Sequence, residues 1–575
     1  MPRPSLNVKL RGAAPFVGVA LTLLVFHLVF AGGWFERSPA PLSSPHANDL
    51  QALVITQALA GRGDLGAFTG APLGLDDCSS IPDPGARLAV LKGVVRNQRS
   101  TTDTSHSDIH DSPIDATPIA YLLGAIPALL LGVSPLTVRM GTFVLLGLLS
   151  LATYACVRAM TSPGPALAAG AAVTMLPAVI GGVQTLFPIL GCTTGVVVAL
   201  ALLLHCDRFR RPGLALLAGL AFALAWRWGE SFTDGIRTAS VLVGPVAVMA
   251  WAGLTGARKD RLRAGLGLVL FATTALLVFD WGLAHSASDR MLNLAVGAGP
   301  QDALSRFHTG VLSYLWLFPA QLLGLPATIL MLVGAAAALI WARPRAEVIA
   351  LVVAVLIPTL LLGASDKRAT YYLAVVAGPA TVVMMLGLNA IPRVGRALPW
   401  LALAWLMPCA AGIWLADLST DPHAPLMPGW YRLLAWDTVG NRPTGPSWVE
   451  FTHLVPIARY PQEELEPLRA PTATWLAGEQ AEVLGTLPPG SLVAVQGWAV
   501  QSCDVAAFAV QSAYPDLRVT WLRRPQQPLG CAAPAAWVSV RWPGAESARP
   551  GWAHTWPKAA ASEYAAIHLP PSTSD

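Results

Sequence analysis

The chain has 575 residues, 54% of them apolar and only 12% charged, roughly half the charged fraction of a soluble domain. The net charge is +5, from 38 Lys and Arg against 33 Asp and Glu. Those cations gather in short connections between apolar runs, so the excess is not the footprint of a nucleic-acid-binding surface. Uncharged windows of about eighteen residues or more recur along the chain, which excludes an ordinary soluble core and predicts a multi-pass α-helical membrane protein.

The first apolar run, residues 13–34, follows Arg3, Lys9 and Arg11. It is long for a signal peptide, and no small-x-small cleavage site precedes the polar loop. It reads as an anchor with its N-terminus in the cytoplasm. The loop that follows, residues 34–117, is too long to be a mere connection. Its Leu50, Leu53, Val54, Gln57 and Ala58 suit an amphipathic helix on the membrane surface. Asp49 stands at the start of that helix, where its plain role is an N-cap. Before the next apolar run the stretch "HSDIHDSPID" brings together His106, Asp108, His110, Asp111 and Asp115. Carboxylates this close to a bilayer are costly unless they face a wet cavity. A divalent metal is compatible with them, but the spacing defines no metal site.

Run 118–134 is short and contains Pro127, which is expected to break it, so it reads as re-entrant or as lying at the outer interface. Four basic connections follow, at 207–211, 258–263, 343–345 and 393–396, and the positive-inside rule puts all four in the cytoplasm. Spans near 213–229, 237–256, 264–283, 311–341, 346–363, 370–391 and 397–416 then alternate without conflict. Run 311–341 exceeds the bilayer, so Pro319 and Pro326 should divide it into an interfacial piece and a true span. The predicted total is about eleven spans, an odd number between 11 and 13, with the C-terminus outside. Residues 1–416 form the transmembrane domain and 417–575 a small extracytoplasmic α/β domain, where "GSLVAVQG", "DLRVTWL" and "AWVSVRW" read as strands of a partly parallel sheet. Cys503 and Cys531 lie there and are as fit for a disulfide as for two buried thiols, whereas Cys156, Cys192, Cys206 and Cys409 read as packing residues.

The order of these features resembles the GT-C superfamily of polytopic membrane glycosyltransferases, which includes protein O-mannosyltransferases and aminoarabinose transferases. The resemblance rests on "ANDLQALVITQALAGRGD", then "DATPIAYLLGAIPALLLGVSPLTVRM", then "SDKRATYYLAVVAGPA". It implies an inverting transferase that takes a sugar from a polyprenyl phosphate and gives it to a glycan, lipid or protein acceptor at the outer face of a cell membrane. It also implies Asp49, Asp115 and Asp111 as catalytic carboxylates, and Arg139, Lys367, Arg368 and Tyr371 around the donor phosphate. Arg290, beside His285, is a further outward-facing cation. The chain departs from the family where an Asp-Glu pair is replaced by Asn48-Asp49 and a His-Pro-Pro by Ala116-Thr117-Pro118. The alternatives are a transporter or flippase of a lipid-linked or small substrate, and a non-catalytic scaffold of the same fold. Spans nearly clean of ionisable groups argue against the first; Asn48 favours the second.

Overall fold

The computed structural model describes residues 22–32, 118–132, 135–184, 189–228, 232–278, 322–363 and 370–415; towards the C-terminus it describes 475–476, 478–496, 506, 509–510, 513–522, 534–540, 553–562 and 565–571. The membrane part consists of helices α1 (Thr22–Gly32), α2 (Pro118–Leu131), α3 (Pro135–Arg158), α4 (Pro163–Thr174), α5 (Pro177–Gln184), α6 (Ile189–His205), α7 (Pro212–Trp228), α8 (Phe232–Leu254), α9 (Arg258–Val278), α10 (Leu325–Trp341) and α11 (Arg345–Gly363). A 3-10 helix (Thr370–Val376), α12 (Ala377–Ala390) and α13 (Leu398–Leu415) follow among the described residues. Among the described residues, Leu136–Arg158 and Leu373–Ala390 are by themselves long and apolar enough to cross a membrane; α4 and α5, bent by 58° at Met175-Leu176, qualify together. The protein is a multi-pass membrane protein.

Helices are what an apolar chain must form where no water can satisfy its backbone. Several threonines within them bond back to their own helix: Thr194 donates to the Leu190 carbonyl at 2.8 Å, Thr359 to Val355 at 2.8 Å and Thr381 to Ala377 at 2.8 Å. Helix α12 is the central element, buried from Ala377 to Leu388 and packed against α10, α4, α11 and α13. Peripheral helices turn large aliphatics outward, as with Leu277 on α9 and Leu130 on α2, the pattern expected of lipid-facing surface. The four cysteines Cys156, Cys192, Cys206 and Cys409 are buried free thiols; Cys503 and Cys531 lie outside the described residues.

Pro127 does not break the run it sits in. Helix α2 is continuous through it. Proline at position 127 deprives the Leu123 carbonyl of its helical donor. Gly141 of α3 comes against that carbonyl so closely that a Cβ there would collide with it, leaving room for a weak Cα–H···O contact. At 14 residues, α2 rises about 21 Å, short of a hydrocarbon core about 30 Å thick. It ends at Gly132, whose φ of +89° closes the helix, and the Thr137 hydroxyl donates to the Gly132 carbonyl at 2.6 Å. Within the long run near 311–341, α10 starts at Leu325 after Gly324 (φ 79°), with proline in its first turn. Residues before 322 lie outside the described part.

The basic connections share one end of the bundle. The turn after α6 has three successive left-handed residues, Asp207, Arg208 and Phe209, at φ 51°, 57° and 67°, a conformation costing roughly 1–2 kcal/mol per non-glycine residue. Long-range contacts hold it. Phe209 is fully buried with its ring edge-on to Phe271 at 5.7 Å, and Gly253 and Gly267 admit the carbonyls of Arg208 and Phe209. Arg208 makes a two-pronged bond to the carboxylate of Glu347 on α11, at 3.0 and 3.3 Å. That bond raises the Arg208 pKa above its ordinary value against the opposing effect of partial burial. Arg210 reaches Asp260 of α9 at 3.7 Å, His205 bonds the Ala155 carbonyl at 3.1 Å, and Trp400 lies against Gly164. Replacing Glu347 by alanine strands a half-buried guanidinium and is expected to cost about 2 kcal/mol, read as a lowered melting temperature of the detergent-solubilised protein.

Towards the C-terminus, five strands form one mixed sheet in the order β2-β1-β3-β5-β4: β1 (Leu492–Gln496), β2 (Arg518–Leu522), β3 (Ala536–Val540), β4 (Lys558–Ala561) and β5 (Ala565–His568). Strand β1 runs parallel to β2 and β3, whereas β5 is antiparallel to β3 and β4. Strands β1, β3 and β5 are buried on both faces, as parallel α/β sheets are. On one face Trp537 stacks on His568 at 4.4 Å and packs with Ala494, Ala553 and Trp556.

Candidate functional site

At the end opposite the basic turns, α3 begins, α5 ends and the 3-10 helix begins. Pro135 opens α3, and Arg139 follows in its second turn with no exposed surface. Full burial excludes for Arg139 the role of a cation stretched along lipid to reach the interface. The Thr142 hydroxyl donates to the Arg139 carbonyl at 2.6 Å and approaches the Val183 carbonyl of α5 at 3.5 Å. Helix α5 in turn touches the 3-10 helix that carries Tyr371, and that helix packs on α6, α8 and α11. The bent helix α4–α5 thus lies between the segment bearing Arg139 and the segment bearing Tyr371. The amides of the first turn of α3 and the Arg139 charge both favour an anion at this end.

Of the residues singled out from sequence, Arg139 alone has a described side chain. Tyr371 is placed by its backbone on the 3-10 helix. Asp49, Asp111, Asp115, Arg290, Lys367 and Arg368 lie outside the described residues. Among the described residues, no three His, Cys, Asp or Glu side chains gather as a metal site would require.

A polar node that sequence reading missed lies deeper in the bundle. Trp414 of α13 donates its indole N–H to His27 Nδ1 at 3.2 Å. That leaves Nε2 as the protonated nitrogen, 3.1 Å from the Thr174 hydroxyl oxygen, and Thr174 donates to the Ala171 carbonyl at 2.8 Å. Every donor in the chain has an acceptor, so the buried imidazole is satisfied as a neutral group. The node ties the first helix and the last to the end of α4, immediately before the bend. A histidine within the first apolar run was the one local signal.

The chain shares the GT-C fold of membrane glycosyltransferases, as its match to solved structures shows. The chain superposes on the crystal structure of ArnT from Cupriavidus metallidurans in the apo state with a TM-score of 0.53, at 12% identity, over 98% of each chain. The structure of the same protein bound to undecaprenyl phosphate gives 0.52 at 12% identity over 97% of each chain. The archaeal oligosaccharyltransferase AglB from Archaeoglobus fulgidus is more distant, with a TM-score of 0.39 and 14% identity over 87% of this chain and 64% of that one. No protein-family model matches the sequence, and no curated protein matches it either.

Proposed function

We infer that the protein is an inverting glycosyltransferase that moves a sugar from a polyprenyl-phosphate donor to an acceptor at the outer face of the membrane. The observation that carries this reading is the fold it shares, over nearly the full length of both chains, with ArnT, one of whose structures holds undecaprenyl phosphate. Transmembrane residues 1–416, with their first loop 34–117, build the site, and residues 417–575 form the outer domain. The basic turns face the cytoplasm, which puts Arg139 and the 3-10 helix at the outer leaflet.

In the transfer step an acceptor hydroxyl oxygen attacks the anomeric carbon from the face opposite the phosphate. The C–O bond to phosphate breaks with inversion, and its electron pair leaves on the polyprenyl phosphate. The hydroxyl proton passes to a carboxylate, for which Asp49 is the first candidate and Asp115 and Asp111 the next. The departing phosphate needs positive charge rather than a proton. Arg139, Lys367 and Arg368 supply it, Tyr371 adds a hydroxyl donor, and Arg290 is a further cation at the rim.

The donor half of this reading is tested by undecaprenyl phosphate binding to the purified protein. Arg139→Gln should weaken that binding by about tenfold, the worth of one charge-assisted hydrogen bond of roughly 1.5 kcal/mol, whereas Arg139→Lys should lose less. Unchanged binding in a folded Arg139→Gln protein removes Arg139 from the site.

A further inference from the structure

The five connections at the basic end carry more charge than the whole chain does. Residues 158–163, 206–212, 254–263, 341–347 and 390–398 hold twelve Lys and Arg against three Asp and Glu, a surplus of nine. The net charge of the full sequence is +5. Everything outside these turns is therefore net negative, with 26 cations (38 less 12) against 30 acids (33 less 3). Two of the three acids are already engaged, Glu347 by Arg208 and Asp260 by Arg210. Ten cations remain exposed, among them Arg258, Lys259, Arg261, Arg263, Arg393 and Arg396; among the described residues, none of the ten forms an ion pair.

Their surroundings define the depth at which an external anion must lie. Trp251, Trp341 and Trp400 are exposed by 74%, 47% and 41%, each a few residues on the membrane side of a basic turn, at the level where indole rings mark a bilayer interface. The cations thus sit just beyond the hydrocarbon, among headgroups. Leu262 is 71% exposed between Arg261 and Arg263, so the start of α9 offers charge and apolar surface together. Arg258, Lys259 and Arg261 also stand in the first turn of α9, where the helix dipole opposes positive charge, an arrangement that an external anion relieves.

We propose that this end of the bundle is a docking surface for anionic phospholipid of the adjacent leaflet, whose phosphates bridge the basic turns and hold the ends of α9, α11 and α13 in register. Charge complementarity at headgroup depth selects a lipid over a soluble anion, because a free phosphate makes no use of Leu262 or of the tryptophan belt. The proposal is independent of the transfer chemistry, which lies at the other end.

The test uses full-length protein in neutral detergent, titrated with mixed micelles of phosphatidylglycerol or of phosphatidylcholine. Phosphatidylglycerol should bind and raise the melting temperature, with a response that shrinks as salt is added; phosphatidylcholine should do neither. The variant Arg258→Gln/Lys259→Gln/Arg261→Gln/Arg263→Gln should lose about fivefold in phosphatidylglycerol affinity per cation removed. Arg393→Gln/Arg396→Gln, on a separate turn, should lose about fivefold for each of its two, and serves if the fourfold variant does not fold. Equal binding of both lipids by the unaltered protein overturns the proposal. Equal stabilisation by inorganic phosphate also overturns it and makes the surface a free-anion site.

Discussion

Asp49→Asn is expected to lower glycosyl transfer by about a hundred- to ten-thousand-fold, the usual worth of a positioned general base, with the protein still present in membranes at its normal level. The substitution keeps the shape and the N-cap capacity of the side chain, since asparagine caps a helix as well as aspartate does. It removes only the ability to take up a proton. A structural Asp49 therefore predicts little change, and a catalytic one predicts near-complete loss. The same assay on Asp115→Asn and Asp111→Asn ranks the remaining carboxylates. If Asp49→Asn transfers normally and Asp115→Asn does not, the catalytic acid lies before the second apolar run, and the departure at Asn48-Asp49 reflects a site rebuilt around Asp115.

Gly387→Val is the substitution expected to harm the fold most. Helices α10 and α12 cross at Gly334 and Gly387. A Cβ at Gly387 would fall on the Gly334 carbonyl, and one at Gly334 on the Met384 carbonyl. The obstacle is backbone on both sides, which cannot rotate away as a side chain can. Because α12 is buried along nearly its whole length, the strain passes to every helix packed on it. Overpacking by a few methyl groups costs about 1–3 kcal/mol where neighbours can shift, and here the cost should exceed that range. The expected result is loss of monodisperse protein in detergent, or a melting temperature lowered by many degrees. Gly265→Ala is the control: it lies in α9 with open space where its Cβ would go and should be neutral or stabilising by about 0.5–1 kcal/mol. A Gly387→Val protein as stable as Gly265→Ala would mean that α10 and α12 do not approach at this point.

The features legible in the sequence are those set by transfer energies and local chemistry. The four basic turns fall at one end because charge cannot lie in hydrocarbon, and their clustering could be read directly. The start of α10 was legible through Pro326, a helix-starting proline; the left-handed backbone of Gly324 before it was not. Strands β1, β2 and β3 announced themselves through runs such as Leu492–Gln496 and Ala536–Val540. Strands β4 and β5, "KAAA" and "AAIH", did not, because alanine carries no strand preference and their pairing comes from partners elsewhere, β5 on the edge of β3 and β4 on β5.

What was misread or missed depends on contacts across long sequence separations. Pro127 looked like a helix breaker, yet α2 runs through it, with Gly141 of the next helix set close against the carbonyl that proline leaves without a helical donor. The left-handed turn at Asp207-Arg208-Phe209 needs glycines at 253 and 267 to exist at all. His27 meets Thr174 and Trp414, 147 and 387 residues away, and no local pattern announces either meeting. For the candidate site, the order of motifs rather than any one of them singled out Arg139; its full burial was not legible. The acids Asp49, Asp111 and Asp115 and the cations Lys367 and Arg368 rest on motif order alone, and Arg290 on its place in an outward-facing loop.

The central claim, transfer of a lipid-borne sugar at the outer leaflet, is tested most directly by intact-mass analysis of envelope lipids and glycans in cells that contain the protein, lack it, or carry only Asp49→Asn. One glycan modification present with the unaltered protein is expected to disappear in both other strains, while the sugar-charged polyprenyl phosphate accumulates. Identical mass profiles in all three strains, with no build-up of the charged carrier, would contradict it.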